Sequence, residues 1–413
     1  MIKQNPFSSN TFIKIWNLSF NKSNPTYSFN FIKELTFFKT SFIPLYINTG
    51  KNLTKGVSYT INETIKDFKN KVFFIYDVPD YFKINAQKLN DKLRLINIKQ
   101  YPGYFINLEK HTNIKSYLEN TFSKKSVQKL NRYKRRLELC FNINYKVYHG
   151  KIEKSEYDFI FDSFKKLLTK RFDDKKITNN NLNKEEWDFY YNVVYPLILE
   201  KKASLFVVYN DKTPIAIRLN YYSETIIFDA ITVFDIDYNK FHIGKISIMK
   251  MLEWSFEKEY KIFDFSKGYY DYKESWSDLK YDFEYHLYYD SSAIISTLIA
   301  KSIAAFFKFK QYLREKKLNE KLHKITYRLK KASKETQIQV DEIQKDLSLL
   351  DKNMLEEIDI EINHTFLKKH VFDFLFLTSE HLNDLTIYQV KNEDENTFFI
   401  KGKKNNKLIV VNN

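Results

Sequence analysis

The chain has 413 residues, 43% apolar and 29% charged, which is the mix of a globular protein with room for two or three packed domains. Its seven glycines, at 50, 56, 103, 150, 244, 268 and 402, form neither a G-x-G-x-x-G nor a G-x-x-x-x-G-K-[ST] run, which argues against dinucleotide-fingerprint and Walker-type phosphate sites. A single cysteine, Cys140, excludes an internal disulfide framework and a multi-cysteine zinc site; no metal is expected, and a reducing, cytoplasmic setting is. Lys and Arg outnumber Asp and Glu by 16. Such a balance fits nucleic acid, anionic membrane or a phosphate-rich ligand, or only the codon usage of an AT-rich, bacterial genome.

In chain order, strand-like runs occupy TFIKIW (11–16), FIPLYI (42–47), KVFFIYDV (71–78) and GYFINL (103–108), with helical stretches between them. Residues 1–120 therefore read as an α/β unit. Segment 121–140 carries seven bases and one acid, net +6, and places Val127, Leu130, Tyr133 and Leu137 at helical spacing. FNINYKVYH alternates as a strand over about 141–149, ended by Gly150. Helices are expected at 154–171 and 184–201, followed by three strands at 204–210, 214–222 and 225–233 whose short connectors make an antiparallel meander. A loop, a helix from Gly244, a buried strand at 261–265, a helical turn at YKESWSD and a strand at 281–290 follow.

Segment 301–334 carries twelve bases and two acids, net +10, and reads as part of a long basic amphipathic helix over 291–334. Either basic helix is equally read as a solvated face. The remainder, 335–413, is a small α/β unit of unknown role with net charge −6: IQVDEIQKDLSLLDKNMLEEIDI reads helical, TIYQV, TFFIKG and KLIVV read as strands, and KKNN reads as a hairpin turn. No apolar run reaches the length of a transmembrane helix, and no secretory signal is legible. Contact between 293–334 and the inner face of an anionic membrane is compatible with this pattern.

The order strand, two helices, three-strand meander, loop, helix, strand, short helix, strand resembles the GNAT acyltransferase fold. SVQKLNRYKRRLE, YNKFHIGKISIMK and FDFSKGYYDYKESW, in that order, are similar to the BioF2-like branch related to the Fem-type peptidoglycan interpeptide aminoacyltransferases. The resemblance implies an α+β layered domain over 121–290, with a mixed, mostly antiparallel twisted sheet flanked by helices. Fem-type proteins carry two such domains, so 1–120 is either a degenerate first copy or an unrelated α/β unit.

The resemblance further implies direct attack of an amine on the thioester carbonyl of acyl-CoA, with acetyl-CoA as co-substrate. Ala230, Ile231 and Val233 would offer backbone groups to the pantetheine arm. Lys240, His242, Ile243, Gly244 and Lys245 would cradle the phosphates at a helix N-terminus. With one glycine, this loop departs from the Q/R-x-x-G-x-G/A pattern, and Gly244 is also read as an ordinary turn glycine. Tyr272 or Tyr270 is the candidate proton donor to the thiolate, Asp271 a base or orienting carboxylate, and Lys273 an oxyanion or anion binder. Asp229 is either a cleft carboxylate or a hydrogen-bonded structural residue. The acceptor would be an amine of a small metabolite, amino sugar or envelope precursor. The alternatives are a tRNA-dependent aminoacyl donor, which would give both basic helices an RNA to contact, and an inactive scaffold that binds nucleic acid or membrane.

Overall fold

The computed structural model describes residues 3–40, 42–62, 64–84, 91–316, 339–343, 354–391 and 397–412. Ser9 caps the first helix by accepting from the Phe12 amide, and Phe12 and Trp16, four residues apart, form its buried stripe, so α1 runs Asn10–Phe20. This corrects the strand expected at TFIKIW: the cap and the i, i+4 apolar pair outweigh the β-propensity of the run. The N-terminal half continues with β1 (Thr26–Phe29), β2 (Ile32–Lys39), β3 (Leu45–Asn48), the short β4 (Thr60–Ile61), β5 (Val72–Pro79) and the long β6 (Leu93–Asn107).

The following elements fall close to their expected positions. After α2 (Ile114–Thr121), for which no helix was expected, they are α3 (Lys124–Cys140), β7 (Ile143–Tyr148), α4 (Lys154–Asp174), α5 (Lys184–Leu199), β8 (Ala203–Asn210), β9 (Thr213–Tyr222) and β10 (Ile226–Phe234). A 3-10 turn at Ile236–Phe241 leads into α6 (Ile243–Glu257), then β11 (Ile262–Lys267), α7 (Asp271–Trp276), β12 (Leu279–Asp290) and α8 (Ile294–Glu315). The rest of the basic segment, 317–334, lies outside the described residues.

One twelve-stranded sheet holds both halves, in the order β1-β2-β3-β5-β12-β6-β11-β10-β9-β8-β7, with β4 beside β2. The order has an internal repeat. Each half is an antiparallel meander closed by a parallel pair, β3 with β5 and β10 with β11. The halves then exchange last strands: β6 of the first half pairs with β11, and β12 of the second pairs with β5. β6 and β12 pair antiparallel at the centre, from Leu279 opposite Phe105 to Asp290 opposite Leu93. Where the second half has α6 between its parallel strands, the first half has, among the described residues, only turns and β4, so its version of the pattern is reduced.

The second half buries two aromatic-rich layers. On one face α2, α3 and α6 cover Phe206, Val208, Ile227 and Phe263; on the other, α1, α4 and α5 cover Leu205, Ile217, Phe228 and Val233. A five-stranded sheet in the C-terminal unit has the order β13-β17-β16-β15-β14, from Gln339–Ile343 (β13), Leu355–Glu357 (β14), Thr386–Val390 (β15), Thr397–Lys401 (β16) and Asn406–Asn412 (β17). Two of these strands fall in the segment expected to be helical. There the ladders of β13 to β17 and β14 to β15 override the local periodicity, while 344–353 lie outside the described residues. The unit's helix α9 (Lys368–Thr378) packs Phe372 and Leu375 into the same core as Leu137, Cys140 and Phe141.

Candidate active site

β10 and β11 are hydrogen-bonded only from Ile226 opposite Ile262 to Phe228 opposite Asp264. Beyond that point β10 shifts register against β9 between Asp229 and Ile231, and β11 shifts against β6 between Asp264 and Lys267. Two irregularities facing one another part the parallel pair and open a wedge. Its β10 edge is partly engaged: the Asp229 carbonyl accepts from Ser266 Oγ at 3.1 Å, and the Thr232 carbonyl from Arg171 at 3.4 Å.

Charged side chains line the wedge. Asp229 is not exposed; it pairs with Arg218 at 2.7 Å and accepts from Thr232 Oγ1 at 3.0 Å. Arg218 also donates to Ser247 Oγ of α6 at 3.0 Å. Among the described residues, Arg218 Nε and Asn220 Oδ1 are buried without a hydrogen-bond partner. Lys273 is buried on α7 and donates to the Ser266 and Lys267 carbonyls at 3.3 and 2.9 Å. Desolvation lowers its ammonium to about 8, against the opposing pull of Asp229 and Asp264. Tyr272 is 39% exposed overall, but desolvation around its hydroxyl, then the Asp229 charge, raises the phenol, so it stays protonated and able to donate. Asp271 stands exposed in the first turn of α7. Trp276 anchors this short helix, packing on Phe122 while its carbonyl accepts from Tyr117.

The first half also contributes side chains. Asp77 of β5 is fully buried between Thr54 Oγ1, at 2.8 Å, and Lys267. Lys55, in the loop before β4, is lowered to about 8 by desolvation and by Lys267 and Lys273. Asp264 accepts from Tyr81, Tyr281 and the Ser266 amide at 2.7–2.8 Å, yet burial raises it to about 6. Arg171, near the end of α4, lies 4.4 Å from the Phe234 ring centre, and desolvation lowers its guanidinium against the opposing pull of Tyr272 and Tyr270.

The expected cradle is built differently from an open glycine loop. His242 begins α6 in the left-handed region, at φ 54°, and its ring lies on Tyr133 with centroids 4.1 Å apart. Burial, with Lys245 nearby, lowers its imidazole, which favours the neutral form. Ile243 is buried, Lys245 is exposed, and Lys240 pairs with Asp373 of α9 at 3.3 Å. A Cβ on Gly244 would come within 2.8 Å of the Phe234 ring, so this glycine admits a side chain of its own chain. Beside it is a cavity of about 440 Å³ lined by Arg132, Tyr133, Lys240, His242, Lys369 and Asp373. Asp237 also lines this cavity, the Lys245 and Ile246 amides donate to the His242 carbonyl, and Phe234 takes the close approach to residue 244. Ala230 is partly exposed, while Ile231 and Val233 are buried, leaving main chain to line the wedge.

Of the residues singled out from the sequence, Asp229, Tyr272 and Lys273 come together here; Arg218, Arg171, Lys55, Asp77 and Tyr81, which the sequence did not single out, lie with them. Arg218 did leave a signal, a lone cation inside the apolar run PIAIRLNYY. Lys55 left none.

A parallel pair that parts beside a helix N-terminus, with charged side chains at the parting, is the arrangement expected of a GNAT-type fold. The family model for the acetyltransferase (GNAT) domain matches residues 124–274, so this part of the chain is similar to GNAT domains. No curated protein matches it in sequence. Among solved structures, FemX is 10% identical, with 68% of this chain and 91% of that one covered and a TM-score of 0.47. L-PGS from Bacillus licheniformis is 12% identical, with 74% and 98% covered and a TM-score of 0.42. A conserved protein of unknown function from Bacteroides thetaiotaomicron is 10% identical, with 69% and 91% covered and a TM-score of 0.41.

Proposed function

We propose that the protein transfers an acyl group from acyl-CoA, acetyl-CoA being the first donor to test, to an amine of a small metabolite, amino sugar or envelope precursor. The parting of β10 from β11 past Phe228 and Asp264 carries this reading, because it leaves β10 main chain without a β11 partner, where a pantetheine arm would pair beside Lys273 and Tyr272. The amine forms the new N–C bond at the thioester carbonyl. Lys273 faces the developing oxyanion, Asp271 takes the amine proton, the C–S bond breaks and Tyr272 protonates the thiolate. Arg171, Lys240 and Lys245, with the Ile243 and Gly244 amides, hold the phosphates.

The amine enters from the opposite side, through a groove of about 730 Å³ whose lining includes Trp16, Phe20, Phe38, Leu53 and Glu186. Burial raises the Glu186 carboxyl in this groove, with Lys55 pulling it the other way. In this reading residues 1–120 supply the acceptor side, 121–290 the transferase, 291–334 the basic helix and 335–413 a brace on the cradle. Buried Cys140, its thiol pushed up to about 11, suits a cytoplasmic setting.

Calorimetry with acetyl-CoA should show binding that Gly244→Glu abolishes; failure to bind any acyl-CoA overturns the proposal. A second reading, aminoacyl-tRNA as donor, is favoured by the Phe234 ring at Gly244 and by the exposed cations Lys124, Lys125, Lys129, Arg132 and Arg135 on α3. RNA binding that falls steeply with salt and is lost in an Arg132→Gln, Arg135→Gln variant would select it.

A further inference from the structure

Helix α8 packs Ile299, Ile303 and Phe307 against the sheet, yet it carries large apolar residues on its outer face as well. Towards the sheet it presents Ser296, Ala300, Ala304, Gln311 and Arg314, all buried. Towards solvent it presents Ile294, Ile295, Leu298, Phe306, Phe309 and Tyr312, each between 55 and 79% exposed. The inward face is held by specific contacts. Phe307 packs on Phe74 and Tyr285 with centroids 4.8 and 4.7 Å apart, and Arg314 lies 3.7 Å from the Tyr101 ring centre while donating to the Gln100 carbonyl at 2.9 Å. The helix is therefore fixed in this orientation, and rotation to hide the apolar face would break these contacts.

The outward residues form a line. Positions 295, 298, 302, 305, 309 and 312 alternate three- and four-residue steps and hold Ile, Leu, Ser, Ala, Phe and Tyr, over about 25 Å of helix. Exposed Lys301, Lys308, Lys310 and Lys316 flank the line, and Glu315 is the helix's one acid. Isolated exposed apolar residues are ordinary on a globular surface, whereas two clusters of large ones on one helix face, Ile294, Ile295 and Leu298 and then Phe306, Phe309 and Tyr312, joined by small residues and bordered by cations, make a contact surface. Among the described residues no helix is long and apolar enough to cross a membrane, so a lipid contact here lies flat.

We propose that α8 docks the protein on an anionic lipid bilayer, with Ile294, Ile295, Leu298, Phe306 and Phe309 at the acyl boundary and the four lysines among the headgroups. Charge selects this occupant: a second copy of the helix would bring lysines against lysines, and anionic headgroups neutralise them. The inference stands independently of the reaction proposed above.

The test is flotation of the full chain with phosphatidylcholine vesicles with and without phosphatidylglycerol. The expected result is binding that requires phosphatidylglycerol, weakens with added salt, and falls at least tenfold in an Ile295→Ser, Phe306→Ser, Phe309→Ser variant. Because these side chains are exposed, the variant should melt like the parent. In a Phe309→Trp variant, lipids brominated on the acyl chain should quench the added fluorescence. Equal flotation of parent and triple variant, equal binding to uncharged vesicles, or a dimer in light scattering that the triple variant dissolves without any vesicle binding would each overturn the proposal.

Discussion

Arg218 and Asp229, on neighbouring antiparallel strands, meet at 2.7 Å with side chains only 1% and 3% exposed. Each carries further bonds, Arg218 to Ser247 and Asp229 to Thr232, so the pair is held on both sides of the β10 bulge. Removing one partner leaves a buried, unpaired charge. Asp229→Leu or Arg218→Met alone should cost about 3–5 kcal/mol in equilibrium urea unfolding, and the double variant should recover most of that. A loss below about 1 kcal/mol in both single variants would show that the pair is dispensable.

Lys273 gives the reaction a pH signature. Desolvation sets its ammonium at about 8, so the cation proposed to face the oxyanion disappears as pH rises through that value. The rate at saturating substrate should fall above pH 8, about tenfold per unit. Lys273→Met should lower it on the order of 100-fold at pH 7 and abolish that descending limb. A limb that persists near pH 8 in the variant assigns the titration to another group, with Lys55 the first to examine.

Much of the second half was legible because its signals are local. Strand alternation, short connectors and the Gly150 and Gly244 punctuation place β7 to β10 and α6 within a few residues. Asp229 and Lys273 stand out as charges next to apolar or aromatic runs. The exchange of β6 and β12 between halves was illegible, since nothing in GYFINL or YDFEYHLYYD records that their partners lie about 180 residues away. Lys55 and Asp77 were missed for the same reason: they join the wedge only because that exchange draws β5 and the loop before it to the centre of the sheet. At β13 and β14, pairing with distant strands replaced the helix that local spacing favours.

Asp264 makes stability depend on pH with a sign opposite to that of a salt-bridged carboxylate. Its folded value, raised to about 6 by burial from 3.8, means that the native state holds the extra proton between those values. The stability it contributes is present below the unfolded value and is lost as pH rises through about 6. Asp264→Asn removes this dependence. Relative to the parent, the variant should gain stability on going from pH 4 to pH 7, by at most about 3 kcal/mol, whatever its offset at either pH. Parallel melting curves for the two proteins across that range would refute the raised value.

Gly103 is what allows Tyr281 to reach Asp264. The two residues are opposite one another on β6 and β12, and a Cβ at 103 would lie 2.1 Å from the Tyr281 ring, which crosses directly over the glycine. From there the phenol donates to both Asp264 oxygens, at 2.8 and 2.7 Å. Gly103→Ala must push the ring off this path, so it should destabilise the protein by about 1–3 kcal/mol and deprive the carboxylate of a donor. Tyr281→Ser clears the space at its own cost. If the clash is the cause, adding Gly103→Ala to Tyr281→Ser should cost less than 0.5 kcal/mol, roughly the level of additivity error, in urea unfolding. Equal penalties in both backgrounds would place the glycine's role in the backbone of β6 instead.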